Sequence, residues 1–147
     1  MIRLASEADT ARVAASLAAV LRPGDVIALE GDLGAGKSTL ARSLLHALGW
    51  QGDVPSPTFT LVQPYDDLPV PVWHVDLYRL DDPAEADALG LFETDAALLI
   101  EWPQRLGSRL PADALVLHLE GSGDAPRTLT WRAPAAWEHR WPANLPT

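Results

Sequence analysis

The sequence predicts a three-layer α/β domain with a mixed central sheet, parallel in its middle and antiparallel where hairpins join it. Three observations carry this. A short apolar run, Val26-Ile27-Ala28-Leu29, is followed within a few residues by an amphipathic helical pattern. Further along, β-branched runs pair across turn residues as two hairpins. Between the apolar run and the helical pattern stands Gly31-Asp32-Leu33-Gly34-Ala35-Gly36-Lys37-Ser38, which matches G-x-x-x-x-G-K-[ST].

That motif is the phosphate-binding loop of nucleoside-triphosphate proteins, so the predicted fold is P-loop NTPase-like. Each residue type has a physical reason. Glycines let the backbone curl with its N–H groups inward, in conformations a side chain forbids. Lys37 brings a positive charge to the β- and γ-phosphates, and the Ser38 hydroxyl ligates Mg²⁺. Gly34, Ala35 and Gly36 complete a cradle for ATP or ADP. The N-terminus of the next helix favours the anion. Four fixed positions arise by chance in roughly one in a few hundred chains of this length, so context must decide. Here it agrees, because a strand precedes the loop and a helix opens from it. Lys37 is also the only lysine; the other ten basic residues are arginine.

Composition sets outer bounds. The 147 residues suffice for one domain spanning 1–147, with the tail from about 135 reading either as a short packed helix or as a loosely packed end. Hydrophobic content of 48% and charged content of 21% are ordinary for a soluble protein. No cysteine is present, which excludes disulfides and thiolate metal sites. No secretory signal or membrane-spanning run is visible, so a cytoplasmic location without membrane contact is expected. A net charge of −9 argues against gripping nucleic acid unaided.

The elements follow in order. Ser6-Glu7-Ala8-Asp9 resembles a capping box, and a helix from Glu7 to about Leu21 buries Val13, Leu17, Val20 and Leu21. Arg22-Pro23-Gly24 ends it. After the loop, a helix over residues 39–48 buries Leu40, Leu44, Leu45 and Leu48, and Gly49 stops it. Two prolines hold residues 51–57 extended. Strands over 58–63 and 70–75 read as a hairpin, with Pro71 marking an edge or a strand start. A short helix runs from Pro83 to about Leu89, with Asp82 as N-cap and Gly90 as stop. Residues 96–100 form a strand buried on both faces. A polar loop holding Arg105 and Arg109 follows, then a hairpin over 115–120 and 127–132.

Two apolar strands each end in a carboxylate, Asp76 and Glu101. Open α/β sheets bind ligands at the carboxyl ends of their strands. Both acids are therefore candidates for the Mg²⁺ held by Ser38, and for orienting the attacking water. A strand-end acid taken alone is equally well a solvated cap; the loop upstream tips the balance. Thr58, in Ser56-Pro57-Thr58-Phe59, is a candidate for the metal shell or the water, although its spacing alone reads as a β-branched strand start. His74 and Asp76 share a strand face, but no third ligand is spaced for zinc. The six tryptophans lack interleaved basic residues and read as packing, except Trp102 beside Glu101. Arg79 reads as a charge stabiliser or as an ion-pair partner.

Four segments stand in a distinctive order: residues 31–39, Ser56-Pro57-Thr58-Phe59-Thr60-Leu61-Val62, His74-Val75-Asp76-Leu77-Tyr78-Arg79 and Ile100-Glu101-Trp102-Pro103. The chain resembles the bacterial TsaE (YjeE) family in these segments, well over residues 24–103 and weakly at both ends. The resemblance implies a small P-loop ATPase required for threonylcarbamoyladenosine in tRNA. Such subunits bind TsaD of the TsaD–TsaB pair, hydrolyse ATP weakly alone and touch tRNA only through the complex. The matching positions imply Ser38 and Glu101 for Mg²⁺, Asp76 for the metal's water shell or catalysis, and Thr39 for phosphate. They also place Ser6 or Glu7 near the adenine, with Arg127 of the late hairpin contributing. The family often has Thr where Ser38 stands; either hydroxyl can ligate Mg²⁺. A small-molecule kinase and a non-catalytic nucleotide switch remain the alternatives, although no arginine-rich lid for an acceptor site is visible.

Overall fold

The computed structural model describes residues 1–57 and 59–141. The elements are β1 (Ile2–Leu4), α1 (Glu7–Val20), β2 (Val26–Glu30), α2 (Lys37–Ala47), β3 (Val62–Tyr65), β4 (Val72–Asp76), β5 (Ala97–Glu101), β6 (Leu115–Glu120) and β7 (Arg127–Arg132). Short 3-10 helices occupy Pro83–Leu89, Pro103–Arg109 and Ala135–Trp137. All seven strands form one sheet in the order β1-β7-β6-β2-β5-β4-β3. The middle is parallel, β6 and β5 flanking β2, with β4 beyond β5. Both margins are antiparallel, through β4–β3, β6–β7 and β7–β1. The mixed sheet expected from the sequence is present.

Alternation along the strands sorts the core into two clusters. Ile27 and Leu29 of β2 and Ala97 and Leu99 of β5 pack with Val13 and Leu17 of α1 and Leu40 and Leu44 of α2. Val26, Leu98 and Ile100 face the other way, against Leu80, Ala86, Leu91 and Leu106. Two α-helices thus cover one face, and 3-10 turns cover the other. The same parity fixes the acids. Glu101 follows Ala97 and Leu99, and Asp76 follows Val72, so both project to the α2 face.

Helix starts follow their local chemistry. The Ser6 hydroxyl accepts from the Asp9 N–H at 3.4 Å, as an N-cap should. The Asp9 carboxylate reaches back one residue further than a capping box requires, to the Ala5 N–H at 2.8 Å. Asp82 caps Ala84 at 2.9 Å and Gly90 ends that helix with φ 68°, both as expected, although its turns are 3-10.

Three expectations shift. The strand expected over 58–63 begins only at Val62, because Leu61 takes φ 66° and its N–H closes a turn onto the Pro57 carbonyl at 2.6 Å. The polar stretch after β5 is helical, with Arg109 paired to Asp87. The N-terminal residues add a strand the sequence reading lacked: Ile2, Arg3 and Leu4 pair with Leu129, Thr128 and Arg127. Beyond β7, Trp137 and Trp141 are buried, and Arg140 binds Asp25 at 2.7 Å and stacks on Trp137. Residues 135–141 therefore pack against the core. Among the described residues no helix is long and apolar enough to cross a membrane.

Candidate functional site

The Gly31–Ser38 loop joins β2 to α2, and its shape depends on glycine at two places. Gly31 has φ 146°, and a Cβ there would lie 2.5 Å from the Leu119 carbonyl oxygen of β6. Gly36 is the N-cap of α2 at φ 104°, with no side-chain cap. The first N–H groups of α2 therefore open on the loop rather than on a capping side chain, as an anion site requires.

Lys37 opens the helix and is only 5% exposed. Its Nζ donates to the Gly31 carbonyl and lies 3.6 Å from the Trp102 ring centroid. Burial lowers the Lys37 pKa, and the negative charges of Glu101, Asp76 and Asp32 oppose that shift. Desolvation is the larger effect, so the ammonium is held at a cost that an incoming anion would relieve.

Asp76 and Glu101 stand opposite each other in the β4–β5 register. The Ser38 Oγ donates to Glu101 Oε1 at 3.4 Å, a long bond. Glu101 Oε2 lies 2.7 Å from His74 Nε2, with both side chains buried. Asp76 Oδ1 accepts from the Tyr78 N–H at 2.9 Å. The Asp76 N–H in turn donates to the Leu61 carbonyl at 2.9 Å, so the turn that displaces β3 braces β4. Trp102 holds φ 60°, a conformation costing a bulky residue on the order of 1–3 kcal/mol. Its ring gains contacts with Lys37 on one side and with Tyr78 at 5.0 Å.

Two pockets flank the start of α2, and Gly36, Thr39 and Arg127 line both. One, of about 370 Å³, brings together Gly34, Lys37, Ser38, Ser56, Asp76 and Glu101. The other, of about 210 Å³, is bounded by Ser6, Glu7, Thr10, Ala35 and Leu119. Arg127 ties the second to the loop. Its guanidinium donates to the carbonyls of Ala35 and Gly34, both at 3.1 Å, and to those of Ala125 and Gly123 in the β6–β7 turn. Arg127 thus holds backbone oxygens while lining both pockets, in the part of the late hairpin that the resemblance implies contributes to the site.

The expected residues therefore assemble, with two exceptions. Thr58 lies outside the described residues. Arg79 is exposed and sits over the Phe59 ring at 4.3 Å. The residue whose part was missed is His74. Its signal was available: on β4 it shares parity with Asp76, which points it toward the face where Glu101 ends β5. The remaining histidines keep to the surface, His46 against the Gly52 carbonyl and His118 beside Glu30 and Glu120.

Fold and site together define a class: a mixed α/β domain with a glycine-rich strand-to-helix loop facing two strand-end carboxylates. Comparison with known proteins narrows it. Residues 4–129 match the family model of threonylcarbamoyl adenosine biosynthesis protein TsaE, and the chain belongs to that family. The tRNA threonylcarbamoyladenosine biosynthesis protein TsaE of Bacillus subtilis is 38% identical over 134 residues, 89% of this chain and 84% of that one. The protein of the same name from Haemophilus influenzae is 43% identical over 103 residues, 68% of this chain and 65% of that one. The crystal structure of YdiB from Bacillus subtilis matches with a TM-score of 0.76 at 32% identity, covering 90% of this chain and 83% of that one.

Proposed function

We propose that this chain is a P-loop ATPase subunit that binds ATP with Mg²⁺, hydrolyses it weakly, and serves threonylcarbamoyladenosine formation in tRNA together with TsaD and TsaB. The observation that carries the reading is one pocket holding Lys37, Ser38, Asp76 and Glu101 at the N-terminus of α2. Family membership supports the pathway.

The donor set suits the metal. Mg²⁺ takes hard oxygen ligands, usually one or two carboxylates with phosphate oxygens and waters. Ser38 and Glu101 offer a hydroxyl and a carboxylate oxygen already facing each other, with Asp76 beside them. When bound, Mg²⁺ supplies charge neutralisation at the phosphates. The chain does the rest. Lys37 exchanges the Gly31 carbonyl for a phosphate oxygen, with Gly34, Ala35, Gly36 and Thr39 supplying backbone and hydroxyl donors. Asp76 orients water, with Thr58 as a second candidate for that task. The smaller pocket receives the base against Ser6 and Glu7. The −9 charge suits a cytoplasmic subunit that acts on tRNA through its protein partners.

The test is ATP hydrolysis by the purified chain with Mg²⁺, alone and then with TsaD–TsaB and tRNA. Strong stimulation, with repeated rounds of tRNA modification, is the expected outcome. Hydrolysis indifferent to those partners would overturn the partner role. Phosphate transfer to small molecules would instead favour a kinase.

A further inference from the structure

We propose that His74 is a positioning residue that sets which oxygen Glu101 presents to Ser38. The inference rests on the reading of Glu101 and Ser38 as the Mg²⁺ ligands, and it assigns His74 a part within that site.

The geometry is specific. The His74 imidazole is 2% exposed, and its Nε2 lies 2.7 Å from Glu101 Oε2. An ionised carboxylate only accepts, so the bond requires a proton on Nε2. The other ring nitrogen, Nδ1, is buried and has no hydrogen-bond partner among the described residues. A buried polar atom without a partner is unfavourable, and native proteins keep few of them. An apolar side chain at position 74 would avoid that penalty. What imidazole supplies in return is one donor, aimed at one oxygen of Glu101. With Oε2 occupied, Oε1 is the oxygen left toward Ser38, which it meets at 3.4 Å.

Backbone order makes the pair rigid. His74 is in register with Leu99 and Asp76 with Glu101, so His74 sits one pleat back along β4 from the acid it holds. Both strands lie in the interior of the sheet, where ladder bonds on two sides restrain them. His74 therefore does not need to touch a nucleotide, and it does not line the larger pocket with Lys37 and Ser38. It fixes the carboxylate in a one-oxygen presentation, which suits a small cation that keeps its waters. Partners that orient metal-ligating groups typically change metal affinity or activity by about 10–100-fold when removed.

Two measurements test this. The first uses wild-type protein with ¹⁵N-labelled histidine and no nucleotide. Long-range ¹H–¹⁵N correlation should show His74 Nε2 protonated. An unprotonated Nε2 would overturn the proposal, since it cannot donate to Glu101. The second compares His74→Gln, which keeps an N–H donor at a similar reach, with His74→Leu, which keeps bulk and removes it. Fluorescent nucleotide binding is titrated with Mg²⁺ in each, alongside a chelator control. His74→Leu should raise the Mg²⁺ concentration for half-effect about 10–100-fold, leave metal-independent nucleotide binding within about 2-fold, and His74→Gln should recover most of the loss. Equal Mg²⁺ dependence in folded His74→Leu and wild type would overturn the role of His74. Wild-type protein that binds nucleotide without any response to Mg²⁺ would overturn the metal reading itself, so the two failures are distinct. Should His74→Leu not fold, His74→Gln with a Mg²⁺ response as poor as Glu101→Ala would overturn the proposal.

Discussion

The two pockets beside α2 are built in opposite ways. On the β4–β5 side the walls are charged side chains at strand ends, and Lys37, Asp76 and Glu101 are all nearly inaccessible. On the β1–β7 side the walls are mostly small or apolar side chains with Glu7 among them, and one half-buried arginine gathers four carbonyl oxygens. The first concentrates opposite charge where desolvation makes each interaction strong. The second shapes a recess mostly with uncharged groups, its two charged members being Glu7 and Arg127. The difference teaches where substitutions should act on chemistry and where they should act on shape.

The largest effect should come from Lys37→Ala. It removes the loop's one fixed cation, and nucleotide binding or hydrolysis should fall by at least about 100-fold. Normal turnover in that variant would break the assignment of the charged side. The same lysine predicts a pH effect. Its folded-state pKa lies below the ordinary 10.5. The unfolded chain therefore binds more protons in the window just below that value, and stability contributed by this group rises with pH through it. Wild type should gain stability there relative to Lys37→Met, measured as a difference in thermal midpoint without nucleotide. The buried Tyr65, whose pKa is raised, titrates in both proteins and cancels in that comparison.

Next is Glu101→Ala. Much nucleotide binding should survive, while Mg²⁺-dependent turnover should weaken about 10–100-fold. Wild-type metal dependence would remove Glu101 from the site.

The smallest effect belongs to the β1–β7 side. Arg127→Ala should cost about 1–2 kcal/mol of stability through lost hydrogen bonds. It should lower nucleotide affinity only several-fold and leave the Mg²⁺ response alone. Arg127→Lys should not rescue it, because an ammonium cannot reproduce the planar fork across both segments. A catalytic collapse in Arg127→Ala would erase the contrast between the two pockets.

Much of the charged side was legible from local pattern. The Gly31–Ser38 motif, the apolar run before it and the leucine spacing after it are all short-range signals. Asp76 and Glu101 were visible as acids closing apolar strands, because strand length and alternation are local. The turn at Leu61 was not legible. Thr58-Phe59-Thr60-Leu61 has strand composition, and only the bond from the Asp76 N–H to the Leu61 carbonyl, across the sheet, shows why the strand starts late. The part played by Arg127 was hidden for the same reason: its partners Gly34 and Ala35 are 93 and 92 residues away.

The sequence by itself determined the α/β class, the loop, the helix that opens from it and the two acids. Each follows from periodicity, from turn chemistry or from a motif within a few residues. Only the tertiary structure decided that β1 pairs with β7 and so carries Ser6 and Glu7 to the loop. It alone joined His74 to Glu101 and Arg127 to the loop backbone. Those contacts depend on strand order and register, which are chosen by burial of the whole sheet between its two layers rather than by any one segment.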